Sequence, residues 1–165
     1  MTTAHTYPDA TRTQSSPSTG RPSPREQALQ DLLRGHGLRV TRPRLAVLAV
    51  LAGGGHLEVD EIANRVRARL DSVSTQAVYD VLSALARVGL ARRIEPAGSP
   101  ARYEARNGDN HHHVVCRRCG VIADVDCVVG RAPCLDPSSP GGFMIDEAEV
   151  TFWGLCAACR ASPSV

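Results

Sequence analysis

The chain of 165 residues carries 19 basic residues, all arginine, against 17 acidic ones, and its net charge of +2 is too even to name a partner. No apolar run approaches the roughly 20 residues that a membrane-spanning helix needs. The Thr-, Ser- and Pro-rich N-terminus lacks the apolar segment of a secretory signal. A cytoplasmic protein with no membrane contact is therefore expected, and there its 6 cysteines suit metal or redox chemistry better than structural disulfides. The charge is also unevenly spread. Residues 24–106 hold 13 arginines against 9 acids, and residues 107–165 hold 4 against 7. A basic front and an acidic rear suggest nucleic acid for the first and a cation for the second.

Residues 1–23 lack apolar periodicity and read as a disordered tail. Order is expected to begin where Ser23 precedes Pro24, with Glu26 completing a helix-capping signature. Ala28, Leu29, Leu32 and Leu33 then form one apolar stripe that ends at Gly35. Thr41 caps a second predicted helix carrying Leu45, Leu48 and Leu51, which stops at Gly53-Gly54-Gly55. A third helix is expected from about Val59 to Leu70, and a fourth from Ser74 to Gly89 with Val78, Val81, Leu82 and Leu85 inward. Leu90–Ile94 and Ala101–Ala105, joined by a Pro- and Gly-containing turn, read as a β-hairpin. Helices followed by a hairpin make a winged helix-turn-helix arrangement.

Beyond Asn107 the pattern changes. Three strands are expected at His113–Cys116, Val121–Val125 and Val150–Leu155, with an intervening segment too rich in Pro and Gly for a long helix. The fold expected is α+β: a winged-helix domain at 24–100, a hinge at 101–105, a small α/β domain at 106–160 and a short tail at 161–165.

Two CxxC knuckles, Cys116/Cys119 and Cys156/Cys159, stand 36 residues apart. Zinc favours four tetrahedral soft ligands, and each knuckle offers two thiolates from one short turn. Structural zinc is the reading, with two local disulfides as the alternative. His111-His112-His113 lies just upstream. On a strand, alternation places His111 and His113 on one face and His112 on the other, a start for a second metal site. Cys127 and Cys134 fall outside the knuckles; they suit either a reversible disulfide responding to oxidants or inert packing. In the fourth helix Thr75, Gln76 and Tyr79 face outward, where Gln reads adenine edges and Tyr or Thr meets phosphate or a thymine methyl. Arg39, Arg42 and Arg44, before or early in the second helix, suit backbone phosphates, and Arg92, Arg93 and Arg102 lie on or near the wing.

GLRVTRPRLAVL, the H-x-E-V-D-E-I run from His56, AVYDVLSALARVGL, and RYE followed by NHHHVVCRRCG together resemble the ferric uptake regulator (Fur) family, over about residues 24–160. That resemblance implies a homodimeric repressor that binds a pseudo-palindromic operator in double-stranded DNA, with a structural zinc site and a separate regulatory metal site. Carried over position by position, the regulatory site comprises His56, Glu104, His111, His113 and Asp124, suited to Fe(II) or Mn(II), with Zn possible. A further site found in many iron-responsive members would fall on Asn110, His112 and Ala148, and two of those residues are poor ligands. Asp at 124 resembles the peroxide-responsive, catalase-regulating branch, in which oxidation of ligand histidines (His56 and His111 here) releases the DNA. Asp80 stands where relatives usually carry a basic residue. The rival readings are a zinc-uptake regulator of the same family, a zinc-dependent hydrolase, and a zinc-ribbon interaction module. The histidines come without an HExxH motif or an evident activated nucleophile, which argues against the hydrolase.

Overall fold

Ser23, Thr41 and Ser74 each accept a hydrogen bond from the backbone N–H three residues on, and each begins a helix. The computed structural model describes residues 22–106, 111–129, 135, 137–145 and 148–162. Its first unit holds α1 (Pro24–Gly35), α2 (Arg42–Leu51), α3 (Val59–Arg67) and α4 (Thr75–Arg87). The sequence RPRLAVLAVL is apolar almost all round, which suits a helix enclosed by others. α2 accordingly buries Ala46, Val47, Leu48, Val50 and Leu51 against the helices around it. Ile62, Ala63 and Val66 from α3 and Val78, Leu82 and Leu85 from α4 complete this core.

Strands β1 (Leu57–Glu58), β2 (Ala91–Ile94) and β3 (Arg102–Ala105) form an antiparallel sheet in the order β1-β3-β2. The β2–β3 hairpin is the expected wing. Leu82 is fully buried between helices and sheet, so Leu82→Ala is expected to lower stability by about 2–5 kcal/mol. Urea unfolding followed by helical circular dichroism would show it as a lower midpoint at unchanged slope.

The second unit is a three-stranded sheet of β4 (His111–Cys116), β5 (Ile122–Asp126) and β6 (Thr151–Gly154), followed by the short helix α5 (Ala157–Ala161). Its order is β5-β4-β6, with β4 antiparallel to β5 and parallel to β6. Among the described residues its apolar core is small. Val115 and Ile122 are buried together with Ile94, which is contributed by the wing, and Trp153 packs against them. So little buried apolar surface cannot by itself offset the entropy of ordering the segment.

Several elements differ from the sequence reading. α3 ends at Arg67 rather than Leu70, because Leu70 packs on the core from a closing turn bonded to the Val66 carbonyl. On α1 only Leu33 is buried and Leu29 partly so; Ala28 and Leu32 face outward. Residues 102–105 of the expected hinge are strand β3, paired on both sides within the first sheet. β1 was not anticipated, since two residues are too short to show a period. Neither was α5.

Candidate metal centres and nucleic-acid surface

The β4–β5 hairpin closes through Cys116-Arg117-Arg118-Cys119-Gly120, with Gly120 at φ +70°, a conformation that suits glycine. This turn presents Cys116 and Cys119 to Cys156 and Cys159 at the start of α5. All four sulfur atoms lie within 4.8 Å of one another. Cys119 Sγ and Cys156 Sγ are 3.7 Å apart. Tetrahedral zinc with bonds near 2.3 Å spaces its sulfurs by about 3.8 Å, whereas a disulfide needs about 2.05 Å. Backbone N–H groups of Cys156 and Cys119 lower the Cys116 thiol to about 6. The Cys156 sulfur, burial and the other sulfurs push Cys159 up to about 12. Four thiolates at this spacing repel one another unless a cation neutralises them, so the donor set fits zinc. Arg118 Nη1 donates to the carbonyls of Cys159 and Ser162, tying the second knuckle to the first. Arg117 lies over the Trp153 ring at 5.3 Å.

The second cluster is assembled from both units. Gly54 and Gly55, at φ +85° and +89°, turn the chain after α2 and deliver His56 ahead of β1. Glu104 comes from β3 and is buried. Alternation along β4 puts His111 and His113 on one face, and the β4–β5 register sets Asp124 directly opposite His113. Ligand atoms of His56, Glu104, His113 and Asp124 all lie within 4.8 Å of one another. His56 Nε2 is 3.1 Å from Glu104 Oε2 and 2.8 Å from Asp124 Oδ1. His113 Nε2 is 3.3 Å from Glu104 Oε1. His111 joins from the side, its Nε2 at 3.2 Å from Glu104 Oε1 and 3.9 Å from Asp124.

These are short contacts without full hydrogen-bond geometry at the inner atoms. His56 Nε2 and both ring nitrogens of His113 are buried with no hydrogen-bond partner. Buried ring nitrogens without hydrogen-bond partners, converging with carboxylate oxygens, fit the donor set of a bound cation. The electrostatics agree. The Glu104 carboxylate raises the His56 imidazole above its ordinary value, against the opposing effect of burial. Burial disfavours ionised Glu104, yet His113 and His56 outweigh it and hold the carboxyl well below the usual range. Imidazole and carboxylate donors together fit a first-row dication. His112 faces the other way, buried, its ring 6.2 Å from that of Phe152. Asn110 lies outside the described residues, and Ala148 offers no ligand atom.

Of the outward residues on α4, Gln76 and Tyr79 are exposed, and Thr75 accepts a 2.8 Å hydrogen bond from Arg67 Nη2. Arg67 also reaches the Val73 carbonyl and Asn64 Oδ1, bracing the turn between α3 and α4. Arg39 and Arg42 are exposed, while Arg44 is half-buried and donates to the Arg39 carbonyl. Arg102, placed by the sequence on or near the wing, is largely enclosed; it pairs with Glu58 at 3.2 Å and lies beside the Gly120 turn. Arg92 donates toward the His111 carbonyl, and Arg93 pairs with Glu95. Cys127 is half-buried with a free thiol, and Cys134 lies outside the described residues. Sequence reasoning missed Arg67, Arg118 and the pairing of Gln76 with Asp80. Of these only the last carried a signal, an i, i+4 spacing on a helix.

The ferric uptake regulator family model matches residues 35–129. The chain belongs to the ferric uptake regulator family. It is 60% identical over 130 residues to the transcriptional regulator FurA of Mycobacterium tuberculosis, covering 79% of this chain and 88% of that protein. It is 56% identical over 138 residues to the ferric uptake regulation protein 2 of Mycolicibacterium fortuitum, covering 82% and 94%. Among solved structures, the Helicobacter pylori ferric uptake regulator Fur shares the fold with a TM-score of 0.63 at 24% identity, over 84% of this chain and 93% of that one. A Campylobacter jejuni peroxide stress regulator does so with a TM-score of 0.58 at 22% identity, over 81% and 97%. This Fur-family chain is thus a transcriptional regulator and not an enzyme. Among its described residues no helix is long and apolar enough to cross a membrane.

Proposed function

We propose that this Fur-family regulator is a cytoplasmic, metal-dependent repressor that binds a pseudo-palindromic operator as a homodimer and releases it on exposure to peroxide. One observation carries the reading: the cluster of His56, Glu104, His111, His113 and Asp124 takes its ligands from both units. His56 and Glu104 belong to the helix-and-wing unit, and the other three belong to the second sheet. Joint engagement of all five on one ion fixes a single relative orientation of the two units. Affinity for the ion then becomes affinity for DNA, the two being linked through that orientation.

Cys116, Cys119, Cys156 and Cys159 hold structural zinc in this reading. The regulatory ion is Fe(II) or Mn(II), with Zn as the third choice, because carboxylates share the site with imidazoles. Bound ferrous iron would supply a peroxide-reactive centre beside His56 and His111. A Pseudomonas aeruginosa Fur structure contains manganese, and the Campylobacter relative is a peroxide stress regulator; both support the reading by fold. Exposed Val121, Phe152 and Leu155 on the second unit suit burial against a second copy. Gln76 and Tyr79 enter the major groove, Thr75 stands at its edge, and Arg39, Arg42 and Arg44 hold phosphates at the start of α2. Peroxide-defence and iron genes are the expected targets.

The test is a gel shift on the DNA upstream of the protein's own reading frame, with apo, manganese-loaded and ferrous protein, each before and after a brief peroxide dose. Binding is expected to need metal, and peroxide is expected to abolish it only with iron. Loss with manganese too, reversed by a thiol reductant, would move the switch from the histidines to Cys127 and Cys134 or the knuckles. Binding that ignores both metal and peroxide would sink the sensor reading.

A further inference from the structure

On the outer face of α4, Gln76, Tyr79, Asp80 and Ser83 are all exposed and follow the i, i+3, i+4, i+7 spacing of one stripe. Within that stripe Gln76 Nε2 donates to Asp80 Oδ1 at 3.0 Å. The chemistry of the pair fixes its direction. An ionised carboxylate only accepts, so the Gln76 amide must turn its NH₂ end toward Asp80. One N–H of that group is then engaged. One N–H and the Oε1 acceptor are left to meet a base edge.

We infer that Asp80 sets the base preference of this helix by holding the Gln76 amide in the one orientation that matches adenine. Adenine presents an N7 acceptor beside an N6 donor in the major groove, the complement of the free N–H and Oε1. Guanine presents two acceptors, O6 and N7, and an amide pinned by Asp80 has only one donor left, with Oε1 facing O6. The negative charge of Asp80 also works against unspecific attraction to phosphates, so selectivity rises relative to overall affinity. The inference rests on α4 being the DNA-reading helix, as proposed above, and it adds the residue that orients the reader.

The experiment is selection of duplexes from a random-sequence library by the full-length, manganese-loaded protein and by its Gln76→Ala, Asp80→Ala and Asp80→Glu variants. Thermal melts by circular dichroism would establish that each variant folds, as expected for exposed side chains. Wild type is expected to select adenine at one position of each half-site, and Gln76→Ala to lose that preference. Asp80→Ala should cut the adenine-over-guanine ratio at the same position about tenfold and leave other positions unchanged. Asp80→Glu, which keeps the acceptor, should retain the preference. If Asp80→Ala binds every sequence more tightly with base ratios intact, Asp80 is only a charge and the inference is overturned. Selection of no sequence by wild type would instead overturn the regulator reading, and this one with it.

Discussion

Replacing Cys119 by Ser is expected to release the zinc and unravel the second sheet while leaving the helical core folded. The reason lies in the contrast between the two units. The first buries Leu33, Leu48, Leu51, Ile62, Leu82 and Leu85 in one continuous core. Among its described residues the second relies on Val115, Ile122 and a borrowed Ile94. Strand pairing joins β4 to β5 and β6, the meeting of the two knuckles ties α5 to the β4–β5 turn, and structural zinc in such settings contributes about 10–16 kcal/mol. Elemental analysis should show zinc lost, and hydrogen exchange should show β4–β6 amides unprotected while those of α2 and α4 stay protected. A strong chelator should reproduce the effect in the wild type. If the variant loses zinc but keeps the sheet protected, the wing contact through Ile94 supports the second unit and the metal does not.

The sequence made most of the first unit legible because its signals are local. Hydroxyl caps at Ser23, Thr41 and Ser74 and the apolar period of α4 depend only on neighbouring residues, and the structure places those helices where they pointed. The strand alternation of His111 and His113 was equally local. What could not be read was set by partners distant in the chain. β1 exists because Leu57 and Glu58 pair with Tyr103 and Arg102, more than forty residues away. The sequence placed Arg102 on or near the wing but could not show that Glu58 and the Gly120 turn enclose it. The regulatory-site residues were named from family resemblance. Periodicity alone would not have joined His56 to Asp124, which meet only through the packing of two units.

His56→Ala is expected to cut the metal dependence of DNA binding sharply without disturbing zinc or fold. His56 is the imidazole that the helix-and-wing unit offers to a cluster otherwise held by Glu104 and the second sheet. Its removal leaves His111, His113, Glu104 and Asp124 able to hold an ion, with Glu104 as the one remaining ligand from the helix-and-wing unit. The coupling between metal and DNA, typically about 5–150-fold in affinity, should therefore fall toward the low end of that range, with Glu104 alone still joining the units. Wild type and variant should bind operator with the same weak affinity when apo, and the variant should tighten far less than wild type on adding manganese. Asp124→Ala removes the exposed carboxylate that meets His56 from across the cleft, at 2.8 Å. It should give the same loss of coupling from the opposite side. The two together should cost little more than either alone, because each breaks the same bridge. Additive losses would mean that the two residues act on DNA binding separately, and that the ion does not bridge the units through them.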